Sequence, residues 1–198
     1  MKDKLFALTV LIIFFSFIDG HAQNVVSKGT LGLLVGNWKP YHLDTHPANP
    51  LKTVQGAKPF IGLTGTTPSF NGYSLSFTVF QWHQKGLEHI NKESVFLRHF
   101  SVGLKNAVLP NSPVTPYVSV GLAAIWSREV PVKSKGEKIP LDRAGIGFDV
   151  GAGLDFLIKN KYGLVIEYQY VYAKFAKTVG LTDNYSGPQI SLKLLYLF

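Results

Sequence analysis

The chain predicts an all-β fold, an eight-stranded antiparallel up-and-down transmembrane β-barrel. Three observations predict it. First, Gly187–Phe198 alternates strictly, with Ile190, Leu192, Leu194, Tyr196 and Phe198 on one face and Gln189, Ser191, Lys193, Leu195 and Leu197 on the other. Period two marks a strand with two different faces. A continuous apolar row backed by a row carrying Lys suits a wall between lipid and a polar interior. Second, Arg143–Ile158 puts Arg143, Asp149, Asp155 and every glycine on one side, with Ala144, Ile146, Phe148, Val150, Ala152, Leu154 and Phe156 on the other. Glycine weakens a strand unless something must approach closely. A narrow barrel interior supplies that need, because long side chains from neighbouring strands cross it. Third, the connections alternate in length. Pro68–Asn71, Pro110–Pro113 and Lys159–Lys161 are short; His42–Lys58, Gln84–Glu93, Ser127–Asp142 and Lys174–Ser186 are longer. Short turns on one rim and long loops on the other are a barrel property that a sandwich does not share.

Taken in order, Thr30–Tyr41 and Pro59–Thr67 read as the first two strands, each with glycine on the presumed inner face. Gly72–His83 alternates Tyr73, Leu75, Phe77 and Val79 against Ser74, Ser76 and Thr78. Ser94–Val108 reads as the fourth strand, although its apolar row of Phe96, Phe100, Val102 and Leu104 also contains Arg98. Pro116–Arg128 alternates Val118, Val120, Leu122, Ala124 and Trp126 against Tyr117, Ser119, Gly121 and Ala123. Arg143–Ile158 is the sixth strand. Tyr162–Ala173 is the seventh, with Leu164, Ile166, Tyr168, Tyr170 and Tyr172 outward and Glu167 and Gln169 inward. Gly187–Phe198 closes the set. Four of these segments share one design, apolar out and small or polar in; Ser94–Val108, Thr30–Tyr41 and Pro59–Thr67 follow it less cleanly. Trp126 and Tyr172 fall near the long-loop rim and Tyr196 and Phe198 near the other, as an aromatic girdle requires.

The N-terminus has its own logic. Lys2 and Lys4 precede the uncharged run Leu5–Ile18, and Gly20-His21-Ala22 offers a small-x-small exit. That is the pattern of a secretory signal peptide. The run is shorter than the roughly 20 residues a spanning helix needs. Residues 1–22 are therefore expected to be removed, leaving 23–198 as one barrel domain. The chain has no Cys, which removes disulfides, thiolate metal sites and Cys nucleophiles together. Its formal charge of +8 survives cleavage, because Lys2, Asp3, Lys4 and Asp19 cancel. A secretory route argues against nucleic acid as the partner of that charge.

The signal peptide, the segment AGIGFDVGAGLDFLIKNKYGLVIEYQYVYAKF and the terminal ISLKLLYLF together resemble the small eight-stranded outer-membrane barrels of Gram-negative bacteria, the OmpX, OmpW and OmpA-barrel type. The resemblance implies an outer-membrane address with both termini periplasmic. It also implies that the terminal aromatic, here Phe198, with Tyr196 beside it, belongs to the signal read by the barrel-assembly machinery. It implies almost nothing about activity.

Candidate chemistry is sparse. His99 and Ser101 share a strand face, so His could act as base for a Ser nucleophile. Barrel enzymes that deacylate lipid A carry a similar His-x-Ser, but facing lipid on the next-to-last strand, where this chain has Tyr170 and Tyr172. His99 and Ser101 are expected on the inner face, and the chain is expected not to be an enzyme. His42 and His46 lie in a loop without helical geometry, a weak metal pattern. The glycine pairs 145/147 and 151/153 lie within a strand, with no helix to make a phosphate loop. No metal or cofactor is expected.

The inner face is the more informative place. Glu167 and Lys193 are expected to meet at similar depth, with Arg143, Asp149, Asp155 and Lys105 extending the pair into a polar network that closes the lumen. Loop three, with Arg128, Lys133, Lys135 and Lys138 against Glu129, Glu137 and Asp142, is the expected basic surface, either an ordinary solvated loop or a neighbour of phosphorylated lipopolysaccharide. The functional expectation is a monomeric, porin-like envelope protein with a structural, adhesive or small-solute passage role. The alternatives are a deacylase-like enzyme acting on lipid A and a carrier of small hydrophobic ligands.

Overall fold

The computed structural model describes residues 28–41, 57–85, 92–108, 114–131, 141–158 and 161–198. The long strands are β1 Thr30–Trp38, β2 Lys58–Thr66, β3 Tyr73–Lys85, β4 Lys92–Ala107, β5 Val114–Pro131, β6 Leu141–Ile158, β7 Tyr162–Val179 and β9 Gly187–Leu197. A short β8 spans Thr182–Asn184. Strands β1 to β6 pair in sequence order, β6 pairs β7, and β9 lies between β7 and β1. All these pairings are antiparallel, so the long strands close an eight-stranded barrel. The β1–β9 seam runs unbroken from Thr30↔Leu197 to Trp38↔Gln189.

One rim holds the chain end and the short turns. Phe198 N donates to Gly29 O at 3.0 Å. The β2–β3 connection ends in Asn71-Gly72, with φ of 51° and 81°. Phe70 and Tyr73 exchange backbone hydrogen bonds of 2.9 and 2.8 Å across it. A two-residue turn with both central φ positive matches the right-handed twist of the strands it joins, and Asn-Gly is its favoured filling. The third strand therefore starts at Tyr73, one residue later than the alternation predicts.

Faces follow the alternation. Leu122 and Ile146 each expose 78% of their surface, while Ala123 and Ile125 on the alternate face of β5 are buried. The same outward exposure holds for Leu33, Ile61, Leu75, Val102, Ile166 and Leu194, around the whole circumference. A contiguous apolar surface of that extent is not sustainable in water and is what a lipid-facing wall requires.

Two expectations need correction. Lys174–Ser186 is not a long loop. β7 continues to Val179, turns at Gly180 with φ of 60°, and returns as β8. The apolar Val179, Leu181 and Tyr185 are buried, so this hairpin folds inward and its burial stabilises it. The inner face is also not small or polar throughout. Trp38, Phe60, Phe80, Trp82, Val95, Leu97, Ile125 and Phe175 all point inward and form one buried cluster. Residues 1–22, His42, His46, Lys133, Lys135 and Lys138, and the turns at 110–113 and 159–160, lie outside the described residues.

Candidate functional site

The lumen is built in layers. Nearest the terminal rim lies a polar layer. Lys193 Nζ pairs with Glu167 Oε2, and Lys105 Nζ pairs with Asp155 Oδ2. The first pair is set diagonally: Lys193 stands opposite Val165, and Glu167 opposite Ser191. Diagonal neighbours on one face are within reach of long side chains. Tyr117 connects the two pairs. Its hydroxyl donates to Glu167 Oε1 at 3.0 Å, and Lys105 Nζ sits 3.8 Å from its ring centroid. Ser119 Oγ lies 3.5 Å from the same carboxylate oxygen. The layer is charge-balanced, with each buried charge given an opposite partner, which is the arrangement a low-dielectric interior tolerates.

Glycines on β6 make this packing possible. A Cβ on Gly153 would sit 2.6 Å from the Tyr117 hydroxyl, and one on Gly145 would sit 2.8 Å from the Phe175 ring. The glycines of β6's inward row thus leave the space into which β5 and β7 side chains extend.

Above the polar layer, His99 Nε2 lies 3.1 Å from Asp149 Oδ1, both residues almost fully buried. Phe80 stacks on the imidazole at 4.5 Å. A polar cavity of about 30 Å³, lined by Asp149, Glu167, Lys193 and hydroxyls of Thr64, Thr78 and Ser101, lies below this pair. That volume holds a water or two. A vestibule of about 190 Å³ opens at the terminal rim, lined by Lys105, Asp155 and Thr66.

The third layer is aromatic. Trp38 meets Phe80, Trp82 and Tyr185 at centroid distances of 5.9, 5.6 and 6.5 Å, and Tyr185 meets Phe175 at 5.9 Å. Edge-on and tilted packing of this kind adds to area burial. The β7–β8 hairpin lies over it. Tyr185 Oη donates to Val179 O at 2.7 Å, and Gly180 N donates to Glu129 Oε1 at 2.5 Å, tying the hairpin to β5.

Of the residues singled out on the inner face, Glu167, Lys193, Lys105 and Asp155 come together. Asp149 lines the same cavity but pairs with His99 instead. Arg143 does not join. The β6–β7 pairing ends at Gly145↔Phe175, while β6 runs on to Leu141 against β5 alone. Arg143 therefore lies beyond the closed wall, half-buried, beside Ser127, whose Oγ donates to Arg143 O at 3.3 Å. His99 and Ser101 face the lumen, and the imidazole is bound to Asp149. At the rims, Trp126 is half exposed on the outer face, Tyr172 stacks on Phe148 at 4.9 Å, Tyr196 meets Tyr162 at 5.9 Å, and Phe198 is exposed. Tyr117 and the Trp38–Trp82 layer were not singled out as site residues. Tyr117 was legible as inward from its alternation, and Phe80 and Trp82 continue the inward parity of Ser74, Ser76 and Thr78, although their apolar chemistry is that of lipid-facing residues.

No family model and no curated protein sequence matches the chain. Solved structures do. Neisserial surface protein A aligns with a TM-score of 0.64 at 13% identity, over 88% of this chain and 99% of that one. The N-terminal β-barrel domain of Pseudomonas aeruginosa OprF aligns at 0.57 and 14% identity, over 88% and 100%. Ail, the attachment invasion locus protein of Yersinia pestis, aligns at 0.52 and 16% identity, over 89% and 100%. Ail is also known in complex with the heparin analogue sucrose octasulfate. The closed eight-strand circuit, the exposed apolar wall and these alignments make the chain a transmembrane β-barrel with the fold of the small eight-stranded outer-membrane barrels.

Proposed function

We propose that the chain is a monomeric, non-catalytic barrel of a Gram-negative outer membrane, serving envelope structure or surface adhesion and not an open pore. Residues 1–22 direct export, the C-terminal aromatic engages the barrel-assembly machinery, and lipopolysaccharide is the surrounding lipid partner. The observation that carries the reading is the filled lumen: a charge-paired layer, a His–Asp pair and a packed aromatic layer under an inward hairpin. Small-solute passage would require that stack to move. The lumenal position of His99 and Ser101, away from lipid, supports the absence of catalysis on membrane lipids. The adhesive part draws on the +8 charge and on the polyanion bound by the fold-mate Ail. Two measurements test it. Unboiled protein from outer membranes should migrate at a shifted apparent mass, and planar bilayers should show at most small, intermittent conductance. A large steady conductance would overturn the closed-lumen reading.

One observation favours a second reading. β6 and β7 part company above Gly145↔Phe175, β7 continuing against β8. A separation in the wall is what lateral carriage of small hydrophobic ligands needs. Saturable one-to-one binding of a polarity-sensitive hydrophobic dye would support it, and non-saturable partitioning would count against it.

A further inference from the structure

Arg98 interrupts an apolar row, and the register shows what surrounds it. Across the outer wall, Gln81, Arg98, Trp126 and Ala144 form one rung, and His83, Phe96, Arg128 and Asp142 form the next rung toward the loop rim. Below these rungs the outward residues of β4 and β5 are Phe100, Val102, Leu104, Ala124, Leu122 and Val120. Arg98 therefore stands at the upper edge of the apolar belt, beside the half-exposed indole of Trp126. Arg128 is its diagonal neighbour, about 7–8 Å away between strands at the backbone. A hollow of about 600 Å³ lies over this area, lined by Phe96, Arg98, Trp126, Arg128, Asp142 and Arg143. Asp142 Oδ1 lies 3.9 Å from Arg128 Nε, with both side chains largely exposed, a contact that adds little. Among the described residues Arg98 has no anionic partner. Three guanidinium groups against one carboxylate leave the hollow cationic.

We infer that this hollow is a binding site for the phosphorylated sugar headgroup of a membrane glycolipid in the leaflet at the long-loop rim. The inference rests on the outer-membrane reading above. The argument is positional and chemical. The site is on the outer wall at belt height, so its occupant must be a lipid whose chains lie along Phe100, Leu122 and Val102. A guanidinium presents paired donors that match phosphate oxygens bidentately, and two at diagonal spacing can hold one phosphorylated group. Phe96 and Trp126 provide flat apolar walls for a sugar ring. The hollow is far larger than a bare phosphate needs.

The test uses barrel extracted in mild detergent from outer membranes of cells expressing the full chain. Native mass spectrometry counts retained lipid, with bisphosphorylated lipid A, its dephosphorylated form and inorganic phosphate as added probes. The unaltered protein should retain one bisphosphorylated lipid A and lose about tenfold in retention with the dephosphorylated form, the scale of a lost charged hydrogen bond. Arg98→Gln with Arg128→Gln should lose retention by at least the same factor, Arg98→Lys should fall between, and Lys177→Gln, outside the hollow, should not change it. Heat-shifted migration of each variant separates loss of the site from loss of the barrel. Equal retention of both lipid forms, or by the double variant, would overturn the site. So would displacement of lipid by millimolar inorganic phosphate, which would reduce it to a simple anion patch. Absence of the unaltered protein from the outer-membrane fraction would instead overturn the reading on which the inference rests.

Discussion

The Tyr117 hydroxyl donates to Glu167 Oε1 at 3.0 Å while Lys105 rests 3.8 Å from the centre of the same ring. One neutral side chain thus joins two ion pairs, Glu167–Lys193 and Lys105–Asp155. Tyr117→Phe keeps the ring under Lys105 and removes only the donor. It should cost about 1.5–3 kcal/mol, the range for a hydrogen bond to a charged group, in reversible urea unfolding from lipid vesicles. An unchanged midpoint would mean that water replaces the phenol.

Breaking the lumen pair from one side leaves a buried charge behind. Lys193→Ala should cost about 3–5 kcal/mol. Adding Glu167→Ala should recover part of that loss relative to the additive expectation. Strictly additive losses in the same unfolding assay would show that the two groups do not depend on one another.

The lumen-facing glycines of β6 and β7 divide into crowded and open. Gly153→Ala places a methyl 2.6 Å from the Tyr117 hydroxyl, whereas Gly163→Ala meets nothing nearer than 3.5 Å. The first should destabilise by roughly 1–3 kcal/mol, the range for overpacking, and the second should be near neutral. Similar effects at both positions would show that the interior has room for a methyl beside Tyr117.

The lipid wall should reject charge in proportion to depth. Val150 is exposed on the outer face of β6, well inside the apolar belt. Val150→Arg should cost about 2–4 kcal/mol, against about 0–1 near the interface, measured by refolding into vesicles. A midplane Arg without penalty would contradict the face assignment.

Phe198 contributes a backbone hydrogen bond to Gly29 and a ring packed beside it. Its side chain is otherwise exposed, so deletion should barely alter refolding in detergent. In cells, deletion should lower the outer-membrane fraction severalfold. Equal loss in both assays would reduce its role to packing.

Much of the wall was legible because lipid and lumen make opposite demands on alternate residues. Gly187–Phe198 and Arg143–Ile158 satisfy both demands at nearly every position, and the structure turns each face as the alternation requires. The upper lumen was not legible for the same reason. Where the interior is an apolar core, as at Trp38, Phe80 and Trp82, inward and outward residues have the same chemistry, and only the parity carried over from Gly36 and from Ser74, Ser76 and Thr78 separates the faces. The β7–β8 hairpin was hidden too, because Thr178, Gly180, Thr182 and Asn184 read as loop residues, while the burial of Val179, Leu181 and Tyr185 that holds them is tertiary. Arg143 went astray because β6 and β7 part at Gly145↔Phe175 and it lies beyond their pairing. Arg98 spoiled a row in sequence and marks the belt edge in space.

The seam between β1 and β9 has a consequence in time. Every other junction of the wall joins strands that are close in sequence, and this one joins Thr30 to Leu197. Its contacts have the greatest sequence separation in the molecule, and non-local pairing of that kind slows folding. Until the last strand docks, β1 and β9 each present an open edge, a template for pairing with any other extended chain. The wall therefore stays open along its whole height until β9 docks on β1, and its exposure to aggregation ends in that single closing event.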